Sequence, residues 1–128
     1  MNYNFTPEFN KELKKLAKDW RSLPEDIELA KKALPLLYLR QGDEPEDALQ
    51  LRHDQFFLTK RATILKKTDD GKEVVKMRLD CRSLGTKDIV RVIFIAIRYS
   101  DNIRFVELYA KNSKNKDRED QARIKRYL

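Results

Sequence analysis

Basic side chains dominate the chemistry open to this chain. Lys76, Arg78 and Arg82 sit two and four residues apart in Val75-Lys76-Met77-Arg78-Leu79-Asp80-Cys81-Arg82. In a regular strand that spacing points all three to one side. Arg91 interrupts the otherwise apolar run 89–97, and a guanidinium there must reach water or an anion. Antiparallel return across a turn at 83–88 would bring Arg91 beside Arg78 or Lys76. Cations that converge without matching carboxylates can hold a phosphate, Arg bidentately and Lys as a point charge. The competing reading is a solvated face neutralised by acids, with Asp80 the local candidate. A second basic group is Tyr109-Ala110-Lys111-Asn112-Ser113-Lys114-Asn115-Lys116. Three lysines and an aromatic suit a single-stranded RNA contact, with Tyr109 to stack on a base. A hydrophilic connector is the alternative.

Composition narrows the rest. The 128 residues carry 28 Lys+Arg against 21 Asp+Glu, a net charge of +7. That length suits a single domain, 1–128, with one core. Residues 1–60 hold 10 basic and 11 acidic side chains, and residues 61–128 hold 18 and 10. The whole excess therefore lies in the C-terminal half, as expected if that half meets an anionic partner. The longest apolar stretch, 92–97, is too short to span a bilayer, and the N-terminus has no signal-peptide pattern. A cytoplasmic protein is expected. The single cysteine, Cys81, excludes a disulfide framework and a cysteine-rich zinc site, and reads as a small core residue. His53, the only histidine, reads as a surface loop residue. Three glycines leave no Gly-rich phosphate loop.

The elements that must position these groups follow from periodicity. Residues 3–5 could form a short first strand. Thr6 caps a helix with Pro7 at its first position, and Phe9, Leu13, Leu16, Ala17 and Trp20 form its apolar stripe. Ser22 opens a second helix, with Glu25 placed for a capping box and Pro35 expected to kink or end it near Leu34. Residues 40–55 read as a connection with a short helical turn near 45–51. A weak strand falls within 56–65, and Asp69-Asp70-Gly71-Lys72 is a turn. The alternating strand around 75–82, the central strand 89–97, a last strand 103–109 and a helix within 117–128 complete the chain. Runs of strands after helices predict an α+β fold: a twisted antiparallel sheet of about four strands, two N-terminal helices and a C-terminal helix.

This order and several segments resemble the RelE/ParE superfamily of toxins from bacterial toxin–antitoxin modules. The matching parts are Tyr3–Phe5 with Phe9, Val75-Lys76-Met77-Arg78-Leu79, Arg91-Val92-Ile93-Phe94, and Phe105-Val106-Glu107-Leu108-Tyr109-Ala110-Lys111 followed by a Lys-rich segment. The resemblance implies a RelE-like fold. In the RelE-like branch it also implies an mRNA endoribonuclease that works on the ribosome and inhibits translation. Attack by the 2′-hydroxyl would need neither metal nor cofactor. By position, Lys76 and Arg78 would help activate that hydroxyl, the lysine through a pKa lowered by cationic neighbours. Arg91 would hold the scissile phosphate, and Lys111 or Lys114 would stabilise or protonate the leaving oxygen. Arg82, Tyr109, Lys114 and Lys116 would bind RNA. The implied partners are a cognate antitoxin, in assemblies up to a heterotetramer or larger, and the ribosome with its message. The alternatives are a ParE-type inhibitor of DNA gyrase without enzymatic activity, and a degenerate member that only binds antitoxin. Departures from the family are the lack of a Tyr ahead of the last helix and extra length around 40–72.

Overall fold

The computed structural model describes all residues except 98–99 and 112–117. Its elements are β1 (Asn2–Phe5), α1 (Pro7–Ala17), α2 (Leu23–Tyr38), α3 (Glu46–Leu58), β2 (Ala62–Lys67), β3 (Lys72–Leu79), a 3-10 turn (Arg82–Leu84), β4 (Val90–Ile97), β5 (Asn102–Ala110) and α4 (Gln121–Tyr127). The α+β class holds. The sheet, however, is five-stranded and mixed, in the order β1-β5-β4-β3-β2. β1 runs parallel to β5, with Tyr3 opposite Ile103 and Phe5 opposite Phe105, while every other pairing is antiparallel. No hairpin turn joins β1 to β5, so local chain geometry leaves its direction open.

The sheet buries both faces. One packs Phe9, Leu23, Ile27 and Leu34 of α1 and α2 against Val75, Met77, Val92, Phe94 and Phe105. Phe5 stacks on Phe105 at 4.9 Å. Cys81 is buried in this core, and Trp20 packs against it half-buried. The other face carries a smaller cluster: Val74, Ile93, Ile95, Val106, Tyr109 and Ile124, with Tyr127 alongside. α4 covers only part of this face. The side chains of Lys72 and Arg104 reach the last carbonyls of α4, at Leu128 and Tyr127, where cations are favoured.

Thr6 caps α1 as its position predicts, accepting from the Phe9 N–H at 3.2 Å. Its hydroxyl also donates to the Val106 carbonyl. β1 stops at Phe5, so β5 would have a bare edge from there on. Thr6, Glu12 (accepting from the Leu108 N–H) and Arg123 (donating to the Val106 carbonyl) close that edge instead.

Three helical expectations are corrected. Glu25 forms no capping box: it pairs with Arg82, and the Ser22 hydroxyl donates to Asp26. Pro35 does not end α2, which runs on to Tyr38. A proline cannot donate to the carbonyl four residues back, which is that of Lys31. The Tyr3 hydroxyl from β1 donates to that carbonyl at 2.7 Å, so the missing bond is replaced. The third correction is α3, a full 13-residue helix where a connection was expected. It takes in Phe56 and Phe57, so the following strand starts only at Ala62.

α3 has no regular apolar stripe; Phe56 and Phe57 at its end pack against the core, and polar contacts hold the rest. Arg52 pairs with Glu44 and donates to the Leu36 and Leu39 carbonyls at the end of α2. His53 is not a surface residue. It is buried, with Nε2 2.9 Å from Glu73 of β3 and Nδ1 3.0 Å from Asp54. The Tyr38 hydroxyl donates to the same Glu73 oxygen at 3.1 Å. Leaving a buried polar group without its partner costs about 1–3 kcal/mol, whereas replacing both partners with apolar groups of similar shape can be nearly neutral. His53→Ala is therefore expected to lower unfolding free energy by at least about that amount in urea denaturation. The double variant His53→Leu/Glu73→Leu should recover most of the loss. Equal loss in both variants would show that packing, not the pairing, holds α3.

Candidate functional site

The side chains of β3 alternate, and Lys76 and Arg78 project to the face that α4 only partly covers. β4 runs antiparallel to β3, with Arg91 opposite Arg78 and Ile93 opposite Lys76. β5 continues the register, with Tyr109 opposite Arg91 and Glu107 opposite Ile93. A bulge beside Ile93 and Phe94 takes up Val106 and sets this register. Lys76, Arg78, Arg91 and Tyr109 thus share one corner of one sheet face. Lys111, exposed and first after β5, adjoins the same corner: its N–H donates to the Ile89 carbonyl at 2.6 Å.

Arg82 does not join them. β3 ends at Leu79 and the chain turns, so Arg82 bonds to Glu25 and to Asp26 (3.0 Å) beside α2. The Arg82 and Ser22 hydrogen bonds outweigh the cost of burial and hold the Asp26 carboxyl below its ordinary range. Lys114 and Lys116 lie outside the described residues.

The cations do not stand without carboxylates. Arg78 and Arg91 share Asp88, at 3.3 and 3.1 Å, and Lys76 meets Glu119 at 3.1 Å. Asp80 pairs elsewhere, with Arg61. Arg91 is the buried member, its side chain 7% exposed against 46% for Arg78. It also donates to the Asp88 and Val90 carbonyls, so it anchors the start of β4. The outward guanidinium is that of Arg78.

The electrostatics at Lys76 run opposite to expectation. Its contacts are acidic and phenolic, not cationic. Partial burial works against its charge, but Glu119 and Tyr109 outweigh that and hold the ammonium above its ordinary pKa. Burial pushes the Tyr109 phenol up despite the neighbouring Lys76. Burial also works against the Glu119 carboxylate, yet its backbone hydrogen bond and Lys76 hold it below its ordinary value. The Tyr109 ring, packed among Val74 and Ile93, is buried and offers no open face for a base.

Three acids completing this corner were not singled out in the sequence. Glu107, fully buried on β5, accepts from the Asp120 N–H at 2.8 Å. That bond, with the Asp120 cap on the Arg123 N–H, places Glu119 over Lys76. A lone acid in an apolar strand was a usable signal for Glu107, by the argument applied to Arg91. Asp88, three residues before Arg91, carried a weaker one, and Glu119 carried none. Among the described residues no group of three or more His, Cys, Asp or Glu side chains could hold a metal. No helix among them is long and apolar enough to cross a membrane. The chain matches no family model, no curated protein and no solved structure.

The arrangement can receive one phosphate at Arg78, with Asp88 as the group it would displace. Arg78→Ala should weaken binding of a short single-stranded RNA and flatten the dependence of log K on log salt by roughly 0.7, one phosphate contact. Asp88→Asn should tighten binding at low salt. Fluorescence anisotropy across a salt series measures both, and no binding, or unchanged binding in both variants, would show that this corner does not take RNA.

Proposed function

We propose that this chain is the toxin of a toxin–antitoxin module, a RelE-like member of the RelE/ParE superfamily that cuts mRNA on the ribosome and so stops translation. The observation carrying this reading is the convergence of Lys76, Arg78 and Arg91 at one end of one sheet face, beside Tyr109 and Lys111. Cleavage by the 2′-hydroxyl needs positive groups where charge develops on the phosphate oxygens, and a proton for the leaving 5′-oxygen. Arg78 meets the phosphate, Arg91 holds the strand end and Asp88 in place, and Lys76 faces the developing charge. Lys111 borders the corner where RNA enters. The excess charge of the C-terminal half draws in the message, and an acidic antitoxin segment would compete for the same cations. The setting is cytoplasmic, where the ribosome is.

A non-catalytic reading, as a gyrase inhibitor or an antitoxin-binding member, has one observation in its favour. All three cations already have acid partners, Asp88 and Glu119. Induction in bacteria separates the readings. The nuclease reading expects translation to stop, with new 5′-hydroxyl ends in mRNA. Intact messages with a DNA-damage response would support gyrase inhibition, and unaffected growth would support the antitoxin-binding member. Lys76→Ala/Arg78→Ala should remove toxicity while the thermal midpoint stays within a few degrees, both positions being partly exposed. A fully toxic double variant would show that this corner is not the site.

A further inference from the structure

In the proposed reaction a group must take the proton of the 2′-hydroxyl. The Lys76 ammonium has no lone pair for it, and its neighbours favour the charged form. Asp88 is committed between two guanidiniums. Glu119 is the other carboxylate in contact with the described cations of this corner, and its carboxylate is held ionised. Its position is built rather than incidental. The buried Glu107 fixes the Asp120 N–H at 2.8 Å, and Asp120 caps α4 through the Arg123 N–H at 3.1 Å. Glu119 is therefore carried on a short anchored segment, its side chain 10% exposed beside a Lys76 that is 29% exposed.

We propose that Glu119 is the general base and Lys76 the general acid of this cleavage, and that their ion pair restores itself within the site after each turnover. The proposal rests on the nuclease reading above. Glu119 accepts the 2′-hydroxyl proton, and the 2′-oxygen forms a bond to phosphorus. The bond from phosphorus to the 5′-oxygen breaks, and that oxygen takes a proton from the Lys76 ammonium. The products are a 2′,3′-cyclic phosphate and a 5′-hydroxyl. Glu119 is left as a neutral acid and Lys76 as a neutral amine, 3.1 Å apart in the resting geometry. One proton passing back between them regenerates carboxylate and ammonium, with no net change in atoms or charge. The mutual attraction that sets the two charges also gives the pair its correct starting protonation at neutral pH.

The test is single-turnover cleavage on programmed ribosomes, with ordinary mRNA and with mRNA carrying sulfur in place of the scissile 5′-oxygen. A sulfur leaving group needs no protonation, so it bypasses a general acid but not a general base. Glu119→Gln should slow both substrates on the order of 100-fold or more. Lys76→Met should slow the oxygen substrate similarly and regain most of the rate on the sulfur substrate. Glu119→Asp, which keeps a carboxylate, should retain the acid limb of the pH–rate profile that Glu119→Gln loses. The assignment is overturned if Glu119→Gln cuts within threefold of the unmodified chain with an unchanged pH profile, or if sulfur rescues both Glu119→Gln and Lys76→Met, or neither. An unmodified chain that leaves ribosome-bound mRNA whole overturns the nuclease reading itself, which is a different result from unimpaired cutting by Glu119→Gln.

Discussion

A charge taken out of water must find an opposite charge or a set of hydrogen bonds, because the desolvation cost otherwise exceeds what packing returns. This chain buries Asp26, His53, Glu73, Arg91 and Glu107, and each of these polar side chains fastens one element to another. Glu73 with His53 docks α3. Asp26 with Arg82 ties the turn after β3 to α2. Arg91 with Asp88 fixes the approach to β4, and Glu107 with the Asp120 N–H holds the segment leading into α4. The apolar sheet supplies most of the stability. These contacts decide where the remaining parts sit, and the two acids that meet the cations of the candidate site, Asp88 and Glu119, are positioned by the last two.

The sequence showed best what local periodicity encodes. Thr6-Pro7 announced a helix start, the alternation of Val75, Met77 and Leu79 with Lys76 and Arg78 announced a one-sided strand, and the apolar run through β4 announced the sheet centre. It showed least where long-range partners override local pattern. α3 lacks a regular apolar stripe, so periodicity could not find it; besides Phe56 and Phe57 at its end, its hold depends on His53 meeting Glu73, twenty residues away. Arg82 kept the two-residue spacing on paper, but the chain leaves the sheet at Leu79, and Asp26 then captures it. β1 is four residues long, and its parallel pairing joins opposite ends of the chain.

The candidate site was half legible for the same reason. Spacing placed Lys76 and Arg78 on one face, and antiparallel return brought Arg91 opposite Arg78. The acids were harder to read: Asp88, in the loop before β4, gave only a weak signal, and Glu119 arrives from beyond the last strand and gave none. Their presence changes the character of the corner. Bare cations would attract any polyanion, whereas a cluster partly compensated by acids favours what can displace its own carboxylates in the right geometry.

The bond from the Tyr3 hydroxyl to the Lys31 carbonyl bears on the order in which the chain can be finished. Tyr3 is held there by β1, and β1 has no strand to pair with until residues 102–105 of β5 exist. The last turn of α2, whose proline left that carbonyl without its usual donor, is therefore completed by a contact that waits until residues 102–105 have been synthesised. Contacts this distant in sequence form slowly, since loop closure must precede any gain. During translation the helical half emerges first with its first strand unpaired. Only when β5 pairs with both β1 and β4 do the N-terminal helices and the basic corner acquire their final form together. A chain arrested before β5 would have neither a complete core nor a complete site.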